Sequence, residues 1–102
     1  MVDFASVFPN CHSRTLWYLR EITDCVETYF GYTARSAAEA VVNSTRLRGI
    51  AGGESERILW HLLPIDWAHK VARESDPAAP ILGEDVVRHY QATRFRIAAP
   101  RP

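Results

Sequence analysis

The chain has 102 residues, the length of one ordinary domain. Its 12 basic and 12 acidic residues give a formal net charge of zero, which argues against a nucleic-acid binder that works by bulk positive charge. Hydrophobic residues make up 47% of the chain, so it has enough apolar surface for a folded core, and this argues against disorder.

The first twelve residues predict an N-terminal arm, because Phe8-Pro9-Asn10 is a turn signal that follows several apolar residues. We expect this arm, residues 1–12, either to pack as a lid over the helices or to pair with a second copy of the chain. A helix should then run over 14–30, with Ser13 as its N-cap and Gly31 as its C-cap. Its apolar residues recur at three- or four-residue steps, as one helix face requires: Leu16, Leu19, Ile22, Val26 and Tyr29.

A second helix is predicted by the pattern of a capping box, in which Ser36 and Glu39 each satisfy a backbone amide at the other's position. We expect this helix to end near Arg48 and Gly49, because glycine is common just after a helix. Its apolar stripe is narrow and consists of small residues: Ala38, Val41 and Val42.

A third helix is predicted to begin near Glu54 and to present four apolar residues to the core: Ile58, Leu59, Leu62 and Leu63. Pro64 must stop or kink it, because proline lacks an amide proton and clashes with the preceding turn. Proline also suits the first turn of a new helix, so we expect a continuation over 65–74 with Trp67, Ala68 and Val71 inward. Residues 75–80 contain two prolines and predict a linker.

A fourth helix is predicted to begin at Gly83-Glu84-Asp85. Acidic and basic residues spaced i,i+4 predict surface ion pairs, namely Arg20 with Asp24 and Glu84 with Arg88. Residues 94–97 alternate arginine with apolar side chains, and the pattern leaves helix and strand open there.

These elements together predict an all-α fold, with four to five helices in a bundle or an irregular array. We expect one domain over residues 1–102, with the arm at 1–12 and a frayed tail at 98–102.

The cysteines and the absence of targeting signals predict a cytoplasmic protein. Cys11 and Cys25 are read as two reduced thiols, Cys11 accessible and Cys25 buried, since a small secreted scaffold usually carries more cysteines. No run approaches 18 consecutive apolar residues, and Met1–Pro9 has no basic region, so we expect neither a membrane helix nor a signal peptide. Eleven arginines against one lysine, with thirteen alanines, are typical of GC-rich coding sequence and suggest a bacterial source.

The segment from Trp60 to His69 is the densest in reactive side chains. Asp66 and His69 are spaced i,i+3 and could face each other on a helix, which would raise the basicity of the imidazole. One hypothesis is therefore a metal- or ligand-dependent enzyme centred on His61, Asp66 and His69. The simpler interpretation is a first-turn acid with a surface histidine, and we expect no catalytic residue, cofactor or metal, because the spacings typical of zinc sites are missing.

A helix-turn-helix DNA binder is a second hypothesis, in which the second and third helices are joined by residues 49–53. Arg46, Arg48 and Arg57 would then contact phosphates or base edges. The acidic residues at the start of the third helix would meet the phosphates of the groove, so nucleic acid is the disfavoured partner.

The interpretation we prefer is a non-enzymatic protein-binding module, such as a small bacterial adaptor or an immunity-type or antitoxin-type inhibitor that occludes a partner's surface. Tryptophan, tyrosine and arginine dominate interface hot spots, although the rings could also simply fill the core. The partner would be another protein, and a homodimer through the arm and the second helix is the alternative. The predicted binding residues are Trp17, Tyr18, Arg57, Trp60, His61 and Trp67.

Overall fold

The computed structural model of the chain describes residues 3–51 and 56–95. The chain is mostly helical, 76%, and the described residues contain no strand, so the all-α prediction is confirmed. The α-helices are Phe4–Val7 (α1), Ser13–Phe30 (α2), Ala34–Asn43 (α3), Thr45–Ile50 (α4), Pro64–Ser75 (α5) and Glu84–Tyr90 (α6). A 3₁₀ helix, Glu56–His61, lies between α4 and α5, and a π-helical turn, Gln91–Phe95, continues α6.

The N-terminal arm is folded against the rest of the chain. Asp3 caps α1, since its carboxylate accepts the Ala5 N–H at 3.1 Å and the Ser6 hydroxyl at 2.8 Å. Phe4 and Phe8 are buried in the core. Of the two predictions for the arm, these contacts agree with the first, in which the arm packs over the helices of its own chain.

Helix α2 is the centre of the fold and packs against α1, α3, α5 and the 3₁₀ helix. Its predicted apolar face is confirmed, with Leu19, Ile22 and Val26 fully buried. The predicted N-cap is wrong by one residue, because the Nδ1 atom of His12 accepts the Arg14 N–H at 3.1 Å and Ser13 is already helical. The predicted C-cap is correct: Gly31 has φ 73°, a left-handed conformation that only glycine adopts without strain.

The second predicted helix is two helices, α3 and α4. The capping box belongs to Thr33 and Ser36, whose side chains each accept the other's backbone N–H, and not to Ser36 and Glu39. The break falls at Ser44, which is extended and caps α4 by accepting the Leu47 N–H at 3.3 Å. Glu74 on α5 holds this break, since its carboxylate accepts the Ser44 hydroxyl at 2.8 Å and the Thr45 N–H at 2.7 Å.

The third predicted helix is a short 3₁₀ helix that ends at His61. Proline restricts the residue before it to extended backbone, and Leu63 accordingly has ψ 150°, so no helix can run into Pro64. Of its predicted apolar stripe only Leu59 is buried, whereas Ile58 is 53% exposed. The continuation is confirmed, because Pro64 begins α5.

Helix α5 carries its predicted inward residues, Trp67, Ala68 and Val71, into the core. The linker prediction for 75–80 is confirmed from residue 76 onward, since Ser75 is the last residue of α5. Of the segment 94–97, Arg94 and Phe95 are helical, whereas 96–97 and the predicted tail at 98–102 lie outside the described residues. Within the described residues, no helix is both long enough and apolar enough to cross a membrane.

Candidate interaction surface

The predicted group of His61, Asp66 and His69 is divided between the 3₁₀ helix and α5. His61 is exposed at the end of the 3₁₀ helix, and Asp66 lies in the first turn of α5. The Nε2 atom of His69 is already occupied, because it accepts the Leu82 N–H at 2.7 Å. Among residues 3–51 and 56–95, no three side chains of the metal-ligating types lie close enough to hold an ion.

Nucleophilic chemistry has no support from the thiols either. Burial, with a further effect of the neighbouring Glu56 carboxylate, raises the pKa of Cys11 to about 11. Burial, with the charge of Glu21, raises the pKa of Cys25 to about 12. Both thiols are therefore protonated at neutral pH. Cys25 is buried as predicted, whereas Cys11, predicted to be exposed, is half-buried.

The segment predicted as the second helix of the helix-turn-helix is described from Glu56 onward, and there it is not α-helical. A recognition helix must present an α-helical face to the groove, and the corresponding segment is a 3₁₀ helix of six residues. Arg48, one of the predicted DNA contacts, turns back onto its own chain, because its Nε donates to the Val42 carbonyl at 2.6 Å.

Two of the predicted binding residues, Tyr18 and Trp67, belong to the core. They are only 1% and 4% exposed. The Tyr18 hydroxyl donates to the Trp60 carbonyl at 3.2 Å, and the Trp67 indole donates to the Leu59 carbonyl at 2.7 Å. The prediction that they contact a partner is therefore corrected. Both rings are buried and hold the backbone of the 3₁₀ helix through these hydrogen bonds, so they present no surface to a partner.

Trp60 joins the 3₁₀ helix to the start of α2. It is half-buried, and its indole N–H donates to the hydroxyl of the fully buried Thr15 at 3.0 Å. The His12 ring meets the indole edge to face, with centroids 5.3 Å apart. The Arg14 guanidinium lies over the Trp60 ring, 5.3 Å from its centroid, a cation–π contact worth about 0.5–1 kcal/mol.

The region around Trp60 has one unusual polar atom. The Nε of Arg14 is buried and finds no hydrogen-bond acceptor among the described residues. An unsatisfied buried donor costs about 1–3 kcal/mol, and the stacking on Trp60 offsets part of that cost. The carboxylate of Glu56 also joins the 3₁₀ helix to the start of α2, because it accepts the His12 N–H at 2.8 Å.

The outer side of the 3₁₀ helix forms the most distinctive exposed feature, which we call the 57–62 surface. Four large apolar side chains are exposed in the described residues, and two of them, Ile58 at 53% and Leu62 at 36%, lie within this one segment. Arg57 and His61 are exposed between and beside them. Two predicted binding residues, Arg57 and His61, are thus brought together with the half-buried Trp60.

Trp17, the last predicted binding residue, lies elsewhere. It is half-buried, with its ring 5.3 Å from that of Tyr18 and 5.9 Å from that of Phe95 in the π-helical turn. It therefore packs the C-terminal turn onto α2 and is not part of the 57–62 surface.

A buried polar cluster between α2 and the C-terminal helix was missed by sequence reasoning. The Tyr90 hydroxyl donates to the carboxylate of Glu21 at 3.3 Å, and Arg94 lies 3.5 Å from Glu21 and 3.6 Å from Asp24. Asp24 thus pairs with Arg94 and not with Arg20 as predicted. Glu21 follows Tyr18 by three residues on the buried face of α2, and that spacing was the available signal.

A search of known protein families, curated proteins and solved structures gave no significant match to this chain.

Proposed function

We propose that this chain is a non-enzymatic protein-binding module that uses the 57–62 surface to occlude part of another protein. The observation that carries the proposal is the position of Ile58, which is 53% exposed on a short helix whose inner side is fixed in the core. Burying an isoleucine at an interface contributes about 1.5–3 kcal/mol, so such a side chain is a strong anchor.

The support for the proposal is the rigidity of the segment that carries the anchor. Leu59 is fully buried, and two core rings, Tyr18 and Trp67, donate hydrogen bonds to consecutive carbonyls at Trp60 and Leu59. A segment that is already ordered loses little conformational entropy when a partner binds. Most of the free energy gained by burying Ile58 and Leu62 would therefore appear in the affinity.

The charges near the surface indicate the chemistry of the partner. Arg57 is exposed beside Ile58, whereas the carboxylate of Glu56 is engaged with the His12 N–H. Arg14, stacked on Trp60, adds a second cation. The complementary partner has an apolar cleft for Ile58 and Leu62, with carboxylates at its rim opposite the guanidinium groups.

We further propose that residues 1–102 act as one helical domain, an irregular array and not a regular bundle. The side chains of Glu74 and Tyr90 support this, because they tie α5 to α4 and α6 to α2. A small inhibitor or adaptor of the bacterial cytoplasm is the setting that we infer, from the arginine bias and the two free cysteines.

The test compares capture of partner protein by matched variants. Ile58→Asp and Leu62→Asp place a charge in the 57–62 surface, and Ile81→Asp, at a position that is 77% exposed in the connection before α6, is the matched control. Each chain is immobilised and exposed to lysate of the cell from which the gene comes. The captured protein is then purified, and its Kd is measured for all four chains.

The proposal expects Ile58→Asp to weaken the Kd by about 30-fold or more, the loss of an anchor worth about 2 kcal/mol, while Ile81→Asp binds like the wild type. Equal affinity in all variants, or no captured protein, overturns it. If sedimentation equilibrium shows that the partner is a second copy of the chain, the proposal is overturned in favour of a homodimer.

A further inference from the structure

His69 holds the connection between α5 and α6 by a single directed hydrogen bond. Its Nε2 accepts the backbone N–H of Leu82 at 2.7 Å. The ring is kept in place by Phe30 at the end of α2, which meets it edge to face with centroids 5.3 Å apart. Leu82 is half-buried and directly precedes Gly83, the N-cap of α6.

This bond requires the neutral imidazole. A ring nitrogen accepts a hydrogen bond only through its lone pair, so the proton of neutral His69 must sit on Nδ1. When the ring is protonated, Nε2 also carries a proton and faces the Leu82 N–H, donor against donor. The hydrogen bond then cannot exist, and the repulsion pushes the Leu82 amide away from the ring.

The surroundings favour the neutral ring. Burial lowers the pKa of His69 below its ordinary value of 6.5, while Asp66 and a hydrogen bond with the Ile65 backbone act in the opposite sense and Arg73 reinforces the lowering. Among the described residues, the charged groups that shift the pKa of His69 are Asp66 and Arg73, and both lie on α5 itself. Phe30 from α2 and the Leu82 amide from the connection carry no charge, so the titration of this contact belongs to one ring.

The connection has further anchors that do not involve His69. Arg73 donates to the Ala79 carbonyl at 3.1 Å, and Asp76 accepts the Ala78 N–H at 3.0 Å, which together fix the first half of the connection. At the far end, Tyr90 is fully buried and holds α6 on α2. Loss of the His69 bond therefore frees residues 80–83 without detaching the helix.

We propose that His69 is a pH-sensitive latch, which holds residues 80–83 when neutral and releases them when protonated. The release reaches the first turn of α6, since the carbonyl of Gly83 accepts the N–H groups of Val86 and Val87 at 3.1 and 3.3 Å. The connection also carries the exposed Ile81, so a shift of this segment changes an apolar part of the surface.

Backbone hydrogen exchange of the full chain, followed by NMR from about pH 8 to about pH 5, tests the latch directly. The protection of the Leu82 amide, relative to an unstructured peptide at the same pH, should decrease as the pH falls through the titration of His69 and reach a constant low value once the ring is fully protonated. The Tyr90 amide should keep its protection over the same range. The pH midpoint for Leu82 must coincide with the titration of the His69 ring, which is read from its imidazole signals.

Two variants separate the latch from general acid unfolding. In His69→Gln the side-chain carbonyl can accept the Leu82 N–H and does not titrate, so protection should persist at low pH. His89→Gln changes an exposed histidine of α6 and should leave the wild-type pH profile in place. The latch is overturned if Leu82 and Tyr90 lose protection together, if the His69→Gln profile still follows pH, or if the Leu82 midpoint departs from the His69 titration.

Discussion

The Tyr90 hydroxyl, on α6, donates to the carboxylate of Glu21, on α2, across 3.3 Å. The two residues are 69 positions apart in the chain, and both lie inside the fold, Tyr90 fully and Glu21 with 7% of its surface exposed. A buried carboxylate needs hydrogen bonds and a counter-charge to be tolerated, and Arg94 supplies the charge. The C-terminal helix is thus attached to α2 through a polar contact whose loss has a measurable cost.

Replacing Tyr90 by phenylalanine should lower the free energy of unfolding by about 1–3 kcal/mol, because the Glu21 oxygen then loses a hydrogen bond while still buried. Chemical denaturation measures the change. Tyr32→Phe is the matched control, since the structure shows no hydrogen bond from its hydroxyl within residues 3–51 and 56–95. An equal cost for the two variants would show that the hydroxyl of Tyr90 contributes nothing specific.

Glu21 should make the wild type lose stability as the pH rises above about 4.5. Burial raises the pKa of this carboxyl above its ordinary 4.5, with Arg94 opposing the shift and Asp24 adding to it. Between the unfolded and the folded pKa, the folded chain holds a proton that the unfolded chain has released, so stability falls as the pH increases through that window. Glu21→Gln does not titrate at this position.

Urea denaturation of the wild type and Glu21→Gln at a series of pH values measures this effect. The stability of the wild type relative to the variant should decrease from acid toward neutral pH. Arg94→Gln should steepen the decrease, because Arg94 holds the pKa of Glu21 down. A difference that grows with pH would contradict the role of burial at this residue.

The parts of the fold that the sequence predicts well are those decided by one residue's own chemistry. Gly31 ends α2 because its backbone can be left-handed, and Pro64 begins α5 because it lacks an amide proton. The buried face of α2 is likewise visible in its spacing, because Leu19 and Ile22 recur with the helix period. These features depend on neighbours within a few residues, which the sequence displays directly.

The parts that sequence reasoning missed depend on residues far away in the chain. Ser44 breaks the second predicted helix because Glu74, thirty residues later, accepts its hydroxyl. Ile58 is exposed although its spacing resembles that of a core residue, and Trp60 in the same segment bonds to Thr15, 45 positions earlier in the chain. Apolar periodicity cannot distinguish which of several apolar residues a distant element will cover. Three of the six predicted binding residues, Trp17, Tyr18 and Trp67, therefore lie outside the 57–62 surface.

The contact of Glu74 predicts a loss of stability in acid. Hydrogen bonding from the Thr45 hydroxyl, at 2.6 Å, is the main cause that lowers the pKa of this carboxyl, with the Ser44 hydroxyl also contributing. Because the folded pKa lies below the ordinary 4.5, the stabilisation is present above about pH 4.5 and is lost as the pH falls through the folded value.

Glu74→Gln should therefore cost about 1 kcal/mol at neutral pH, a modest value because the side chain is exposed and screened by water. The cost should shrink in acid, as the wild type loses the same interaction. Glu39→Gln, which removes only the exposed pair with Arg35, is the control and should cost about 0.3–0.5 kcal/mol. A cost for Glu74→Gln that is the same at every pH would refute the assignment.

Thr15→Val tests whether Trp60 is held by its hydrogen bond or by packing alone. Valine has nearly the same shape, so the variant removes the acceptor of the indole N–H with little change in volume. The free energy of unfolding should fall by about 1–2 kcal/mol, since the N–H of the half-buried indole loses its partner. Thr23→Val is the matched control on α2, because its hydroxyl donates to the Leu19 carbonyl of the same helix at 2.7 Å.

Loss of that hydrogen bond should also loosen the 57–62 surface, because Trp60 is the residue that joins it to α2. Hydrogen exchange at the amides of Ile58 and His61 should become faster in Thr15→Val and stay unchanged in Thr23→Val. The affinity for the partner should fall with it, since the segment must then be ordered again on binding. If Thr15→Val is less stable but exchanges at wild-type rates in this segment, the fixed geometry of the surface does not depend on Trp60.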